Sequence, residues 1–406
     1  MIKKNLYFLI FFTALLFSCS HLYQITSAEG SEITAEIEIK LEIEQEIEQE
    51  EKYFRQTLTL VAAGDNLFHM PIINSSRKDG AHDFAPIYSE VKDIIKKADL
   101  AFINQETVMA GESFGYSGYP NFNTPQVLAN TLADTGFNIV NIANNHTMDM
   151  GEAGLLATLD FLDTIQGITV IGARKEGESR RIVTKNNITL GFLSYTYALN
   201  GYTLPAGNPN LVSLIRRNKM TEEINALRPL CDFLIVSMHW GAEYMMEPGK
   251  EQTDLALFLA EHNVDLIIGH HPHVLQRFET LSRPDGKETF CFYSIGNFVS
   301  NQNEKERILG ALIYVTFVKE SRQTLLAEEA FETLLITNHG LLPVVCHFES
   351  GPYGLYNTKV YPIYLYSEEL LKKHWVYSRD KNMTFDFFNN VLDKLNVNII
   401  REPVTE

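Results

Sequence analysis

Five times along this chain a short apolar run of strand length stops at residues able to bind a metal ion. The runs are Val61-Ala-Ala-Gly64-Asp65, Leu100-Ala-Phe-Ile-Asn104-Gln-Glu106, Ile139-Val-Asn-Ile-Ala-Asn144-Asn145-His146, Leu234-Ile-Val-Ser-Met-His239 and Leu266-Ile-Ile-Gly269-His270-His271-Pro272-His273. Segments with helical character (84–97, 124–135, 151–166 and 251–262) lie between further strand candidates at 57–63, 168–172, 182–185, 189–195, 289–295 and 310–318. Strands that alternate with helices indicate an α/β fold. Asn186-Asn187, between two β-rich runs, reads as a hairpin turn, so the sheets are expected to be mixed. In open α/β sheets, ligands gather beyond the carboxyl ends of the strands. The five runs therefore predict one cleft at one edge of the fold.

Each segment offers its own chemistry and its own plainer alternative. Asp65 is a hard carboxylate placed by the turn that Gly64 permits; a lone Asp there also reads as a turn cap. Glu106 has two oxygens and can bridge two ions; alone it reads as a surface carboxylate. Asn145 offers a neutral oxygen, and His146 can donate a proton to a phosphoryl oxygen or leaving group. Asp149 reads more readily as the cap of the helix starting near Gly151 than as a partner that orients His146. His239 follows a strand, with Gly241 allowing close approach and Trp240 and Glu243 beside it. The His270–His273 cluster is the strongest signal. In an extended segment His271 and His273 face one way and His270 the other. Together these segments can supply two divalent ions with nitrogen and oxygen ligands, a set that suits Mn, Fe or Zn better than Ca. Such a pair clamps a phosphoryl oxygen and activates a bridging water.

Charge narrows the partner class. The net charge of −17 argues against a nucleic-acid partner, because phosphate binding needs clustered Lys and Arg. Much of it is local: residues 29–52 hold ten Glu and two Lys. Residues 20–56 are expected to form an acidic, self-repelling linker. Ahead of it, residues 1–19 read as a secretory leader: Lys3 and Lys4, then an apolar run too short for a comfortable membrane span. Leu16-Phe17-Ser18-Cys19 resembles a lipobox, with Cys19 as the lipidated residue; a plain leader or an uncleaved anchor is the alternative. The expectation is an exported protein tethered to the bacterial envelope. Cys231, Cys291 and Cys346 are too few for a disulfide scaffold.

As an ordered set, Gly64-Asp65, Asn104-Gln-Glu106, Ala143-Asn-Asn-His146, His239-Trp-Gly-Ala-Glu243-Tyr244, Gly269-His-His-Pro-His273 and Ser294-Ile-Gly-Asn297-Phe298 resemble the CapA family of capsule or poly-γ-glutamate biosynthesis proteins. That family is related to calcineurin-like metallophosphoesterases. The resemblance covers about 57–318, with 319–406 completing the second sheet or appended to the core. It implies a four-layer αββα sandwich of two mixed sheets with a dinuclear site at its edge. Asp65, Glu106 and His273 would hold one ion; Glu106, Asn145, His239 and His271 would hold the other; His146 would be the acid. The related enzymes carry Asp-x-His in the first motif, where Asn66 and Leu67 stand here, which leaves the reach of His69 open. Asn297 is expected to line the cleft, and Asn104, Trp240 and Glu243 to stand near it.

The resemblance implies a metal-dependent hydrolase of phosphoesterase type acting on an anionic polymer or phosphoester, beside membrane subunits of capsule synthesis. Two other functions compete. One is an assembly or export factor that uses metals to grip the polymer. The other is a nucleotidase-like phosphohydrolase, with Trp240 and Tyr244 as the aromatic clamp for a base.

Overall fold

The computed structural model describes Lys40 and residues 52–175, 181–323 and 331–401. The leader, Cys19 and the acidic segment through residue 51, apart from Lys40, lie outside the described residues. The chain divides into two compact units, Arg55–Glu320 with Thr333–Glu406, and Met1–Phe54 with Ser321–Glu332. In the smaller unit, residues 52–54, 321–323 and 331–332 are extended. Of the segment expected to form the acidic linker, residues 52–56 open the strand Lys52–Asn66.

Strands are numbered in chain order. The first sheet holds β1 (Lys52–Asn66), β4 (Leu100–Gln105), β5 (Ile139–Asn141), β6 (Thr169–Ile171), β13 (Asn297–Val299), β14 (Leu309–Gln323), β15 (Phe331–Gly351) and β16 (Gly354–Pro362). Its order is β16-β15-β14-β1-β4-β5-β6, with β13 also paired to β1. The second sheet holds β7 (Arg181–Lys185), β8 (Ile188–Thr196), β9 (Phe233–His239), β10 (Leu266–His270), β11 (Phe278–Ser282) and β12 (Glu288–Phe292), in the order β11-β12-β10-β9-β8-β7. A small hairpin joins β2 (Arg77–Lys78) to β3 (Ala81–His82). Both large sheets are mixed. In the second, β8, β9, β10 and β12 run parallel, and β7 and β11 are antiparallel edges. Asn186 and Asn187 turn between β7 and β8 with φ of 52° and 58°, the left-handed pair that a two-residue hairpin requires.

The period of two along the second sheet defines the layers. On β9, Phe233 and Ile235 face a core shared with the first sheet. Leu234, Val236 and Met238 face a second core with the helices Arg217–Leu227 and Lys250–Glu261. On β10, Leu266 and Ile268 take the first side and Ile267 the second. Helices Val127–Thr135 and Gly151–Leu162 contribute Leu128, Leu132, Leu155 and Leu159 to the core of the first sheet. The result is an αββα sandwich.

Three local readings change. Residues 84–97 are not one helix but a 3-10 turn, Ala85–Tyr88, followed by a helix at Lys92–Lys97; Pro86 sits in the first turn, where its missing N–H costs nothing. The helix Arg217–Leu227 lies where none was predicted. Past residue 330, β15 and β16 lengthen the first sheet, not the second, and three short helices follow from Glu368 to Leu392. Among the described residues, no helix is long and apolar enough to cross a membrane.

Register sets the site. Asp65 on β1 pairs with Asn297 on β13 and with Asn104 on β4, and Asn104 pairs with Asn141 on β5. This places one polar row across four strand ends. In the second sheet, Thr196, His239 and His270 form another row at the ends of β8, β9 and β10.

Candidate metal centre

Close backbone packing brings the two rows together. A Cβ on Gly64 would lie 2.0 Å from the carbonyl oxygen of Gly296, and one on Gly269 would lie 1.9 Å from that of Tyr293. Only glycine lets the strand ends carrying Asp65 and the histidines approach their neighbours this closely. Past β10 the chain does not stay extended. His271 and His273 take φ of 96° and 58°, so their rings converge through a left-handed turn and not through strand alternation. Their centroids lie 5.9 Å apart.

The six predicted ligands, Asp65, Glu106, Asn145, His239, His271 and His273, lie in one buried cluster. Ligand atoms of Asp65, Glu106 and His273 lie within 4.8 Å of one another, as do those of Glu106, His239 and His271. Glu106 belongs to both groups. Its Oε1 is 3.6 Å from Nε2 of both His239 and His273, and neither oxygen has a hydrogen-bond partner among the described residues. Asn145 Oδ1 is 2.8 Å from His239 Nε2. Nδ1 of His239 and of His271 is buried without a partner among the described residues.

Electrostatics follows from this crowding. Burial pushes the Asp65 carboxyl up, but His270 and His273 outweigh it and hold the group well below the usual carboxylate range. Burial and then the charge of Asp65 hold Glu106 well above that range. Burial lowers His273, yet Glu106 and Asp65 carry it up to about 9. Burial and then His273 push His271 down to about 3. Without a bound ion, these shifts favour the charged forms of Asp65 and His273 and the neutral form of Glu106.

A relay fixes Asp65. Asn104 Nδ2 donates to Asp65 Oδ1 at 2.8 Å, Asn141 Nδ2 donates to Asn104 Oδ1 at 2.8 Å, and Ser194 Oγ donates to Asn141 Oδ1 at 2.6 Å. Asn297 does the same for His273, with Oδ1 3.1 Å from Nδ1. His270 does not point elsewhere. Its ring is fully buried, stacks on Phe102, and puts Nδ1 3.3 Å from Asp65 Oδ1, an ion-pair distance without hydrogen-bond alignment.

His146 stands beside the cluster, edge-on to Phe122 at 4.7 Å. Asp149 does not cap the following helix; Met150 occupies the cap position and makes no side-chain bond. Asp149 Oδ2 instead lies 2.7 Å from His146 Nδ1 and also accepts the Phe122 amide at 2.7 Å. His69 is held 3.3 Å from both Leu67 O and the Asn301 amide, outside the candidate ligand groups. Burial, then His273, lowers it to about 4. Leu67, where the related enzymes carry His, is a buried core residue.

Trp240 does not wall the cleft. Its indole is buried in the second core and donates to Tyr293 O at 2.9 Å, because a residue next to His239 on a strand faces the opposite side. Glu243 is exposed and forms a third group with His271 and His273. Two site residues carry no sequence signal beyond following β8. Tyr197 stacks on His239 and meets His271 at a tilt, with centroids 6.5 and 4.6 Å away. Asn200 accepts from Asn145 Nδ2 at 3.1 Å and touches His146 Nδ1 at 3.2 Å.

Residues 59–302, well over half the chain, match the family described as bacterial capsule synthesis protein PGA_cap. The chain belongs to this family. It is similar to the PGA biosynthesis protein CapA of Bacillus subtilis (strain 168), 32% identical over 178 residues, 42% of this chain and 44% of that one. It is also similar to the capsule biosynthesis protein CapA of Bacillus anthracis, 25% identical over 260 residues, 61% of each chain. The chain thus spans about half the length of these relatives. Among solved structures it is similar to a 5'-nucleotidase precursor from Thermus thermophilus, with a TM-score of 0.42 and 18% identity over 69% of this chain and 55% of that one.

Proposed function

We propose that this PGA_cap protein is an envelope-associated, metal-dependent hydrolase of capsule or poly-γ-glutamate synthesis, with Glu106 common to the two sets of residues that would hold divalent ions. The observation that carries the reading is Glu106 itself. A carboxyl group buried with both oxygens unpartnered is costly unless something binds it. A cation fits that gap, and the surrounding imidazoles, amide and carboxylate suit Mn, Fe or Zn. Asp65, Glu106 and His273 would hold one ion, and Glu106, Asn145, His239 and His271 the other. Bound ions of this kind supply Lewis acidity and an activated water.

The protein's own groups do the rest. Asn104 and Asn141 orient the Asp65 carboxylate, and Asn297 orients His273. The short contact to the Asp149 carboxylate makes Nδ1 of His146 the donor, which leaves Nε2 as the ring nitrogen through which a proton can be exchanged with a leaving group. Tyr197 packs its ring against two of the histidines. The leader and Cys19 support a tether to the membrane.

The test is turnover of p-nitrophenyl phosphate, bis(p-nitrophenyl) phosphate and a γ-linked glutamate oligomer by the metal-loaded full chain. His146→Ala should lose about 100-fold or more in rate while keeping its metal. Unchanged turnover removes His146 from the mechanism. No turnover by the metal-loaded wild type would favour the assembly-factor role.

A further inference from the structure

Arg307 forms no ion pair among the described residues. Glu304 is close in sequence, and its carbonyl accepts the Arg307 amide at 2.9 Å, yet the two side chains do not pair. The neighbouring cation Lys305 is committed to Asp380 at 2.6 Å. The Arg307 guanidinium instead lies over the ring of Tyr244, 3.4 Å from its centroid. Stacking of this kind holds a guanidinium flat and leaves its N–H edge open.

This stack is tied to the metal centre. Tyr244 lies 6.1 Å from the His273 ring, and its amide donates to Pro272 O at 2.8 Å. Asn297 sets the Arg307 backbone by donating to its carbonyl at 2.8 Å, while its Oδ1 contacts His273. Beside the stack opens a cavity of about 490 Å³, lined among others by His69, Tyr119, Asn301, Gln302, Glu304 and Arg307. That volume suits a small ligand or a short stretch of polymer. Of the residues that line the cavity, Arg307 is the one with a permanent positive charge, set against the carboxylate of Glu304.

We propose that Arg307, presented on Tyr244, is a specificity determinant that binds an oxyanion of the substrate, carboxylate or phosphate, outside the reacting group. A planar guanidinium fork matches either oxyanion in a bidentate pair. The inference rests on the metal-dependent reading of the adjacent cluster, which orients the substrate.

The experiment is calorimetric binding to the full chain, with metal content measured on the same samples. The probes are a γ-linked glutamate hexamer, its uncharged γ-linked glutamine counterpart and tripolyphosphate. R307Q should weaken the hexamer or tripolyphosphate by about tenfold or more, leaving the neutral oligomer and the metal content unchanged. R307K should lose less, and Tyr244→Leu should weaken the same anion by removing the platform. Which anion responds identifies the source of the oxyanion. Wild-type affinity of R307Q for both anions, or failure of the wild type to bind either, overturns the proposal. Were R307Q to unfold, the R307K and Tyr244→Leu affinities carry the same decision. An Arg307 effect without bound metal would overturn the metal reading alone; bound metal without an Arg307 effect would overturn this one alone.

Discussion

Replacing Glu106 by Gln should leave the metal-free protein almost unchanged and cost the metal-loaded one most of its added stability. In the metal-free protein, burial and the charge of Asp65 keep this carboxyl neutral, and its oxygens have no hydrogen bond to lose. Gln is nearly isosteric and also neutral, so the metal-free stability should change by about 1 kcal/mol or less. With metal the balance differs. A site at 100 times its Kd stabilises the fold by about 2.7 kcal/mol, and two sites by about 5 kcal/mol. At roughly 2 °C per kcal/mol for a domain this large, the wild type should melt about 10 °C higher when loaded. The Glu106→Gln change removes the one carboxylate common to both ligand groups, so most of that rise should vanish. Scanning calorimetry of the chelator-treated full chain, then with added Mn, Fe or Zn, measures both numbers. A metal-free loss of several kcal/mol would make Glu106 a structural residue. A full metal-induced rise in the variant would remove it from the ligand set.

Other outcomes follow from the same geometry. Asn104→Ala cuts the relay that aims Asp65 and should weaken metal binding by about 10–100-fold, measured by competition with a chromophoric chelator; unchanged affinity would leave the relay without a role. Gly269→Ala drives a methyl into the Tyr293 carbonyl and should destabilise by about 3 kcal/mol or more, read from urea unfolding; a folded variant of wild-type stability would refute the packing account. His374 is buried, with Nε2 3.0 Å from Cys346 O and Nδ1 accepting the Val376 amide, and burial depresses it to about 3. The unfolded chain therefore takes up this proton near pH 6.5 and the folded chain only near pH 3, so its stability is whole above pH 6.5 and falls by about 1.4 kcal/mol per pH unit below it. His374→Asn should show a shallower acid slope in unfolding curves between about pH 6 and 4; an identical slope would contradict the assignment.

What could be read from the sequence was mostly what strand ends carry. Apolar runs broken by Asp65, Glu106, Asn145, His239 and His271 mark places where polarity must be used, and register then gathers them. What could not be read depends on direction. Trp240 follows His239 and so faces the other core, and Asp149 turns back to His146 because Phe122 offers its amide there. His271 and His273 converge through positive φ, which no pattern of residue types announces. Tyr197 and Asn200 reach the cluster only because β8 lies beside β9. The helix Arg217–Leu227 buries three well-spaced apolar residues, Met220, Ile224 and Leu227, among charges that hide the period.

The measurement closest to the central claim is metal content by elemental mass spectrometry on the full chain, wild type beside His273→Ala. The account predicts about two equivalents of Mn, Fe or Zn in the wild type and fewer in the variant, since Asp65, Glu106 and His273 form one of the two groups sharing Glu106. No bound metal in the wild type, even after reconstitution with each of the three, would contradict it.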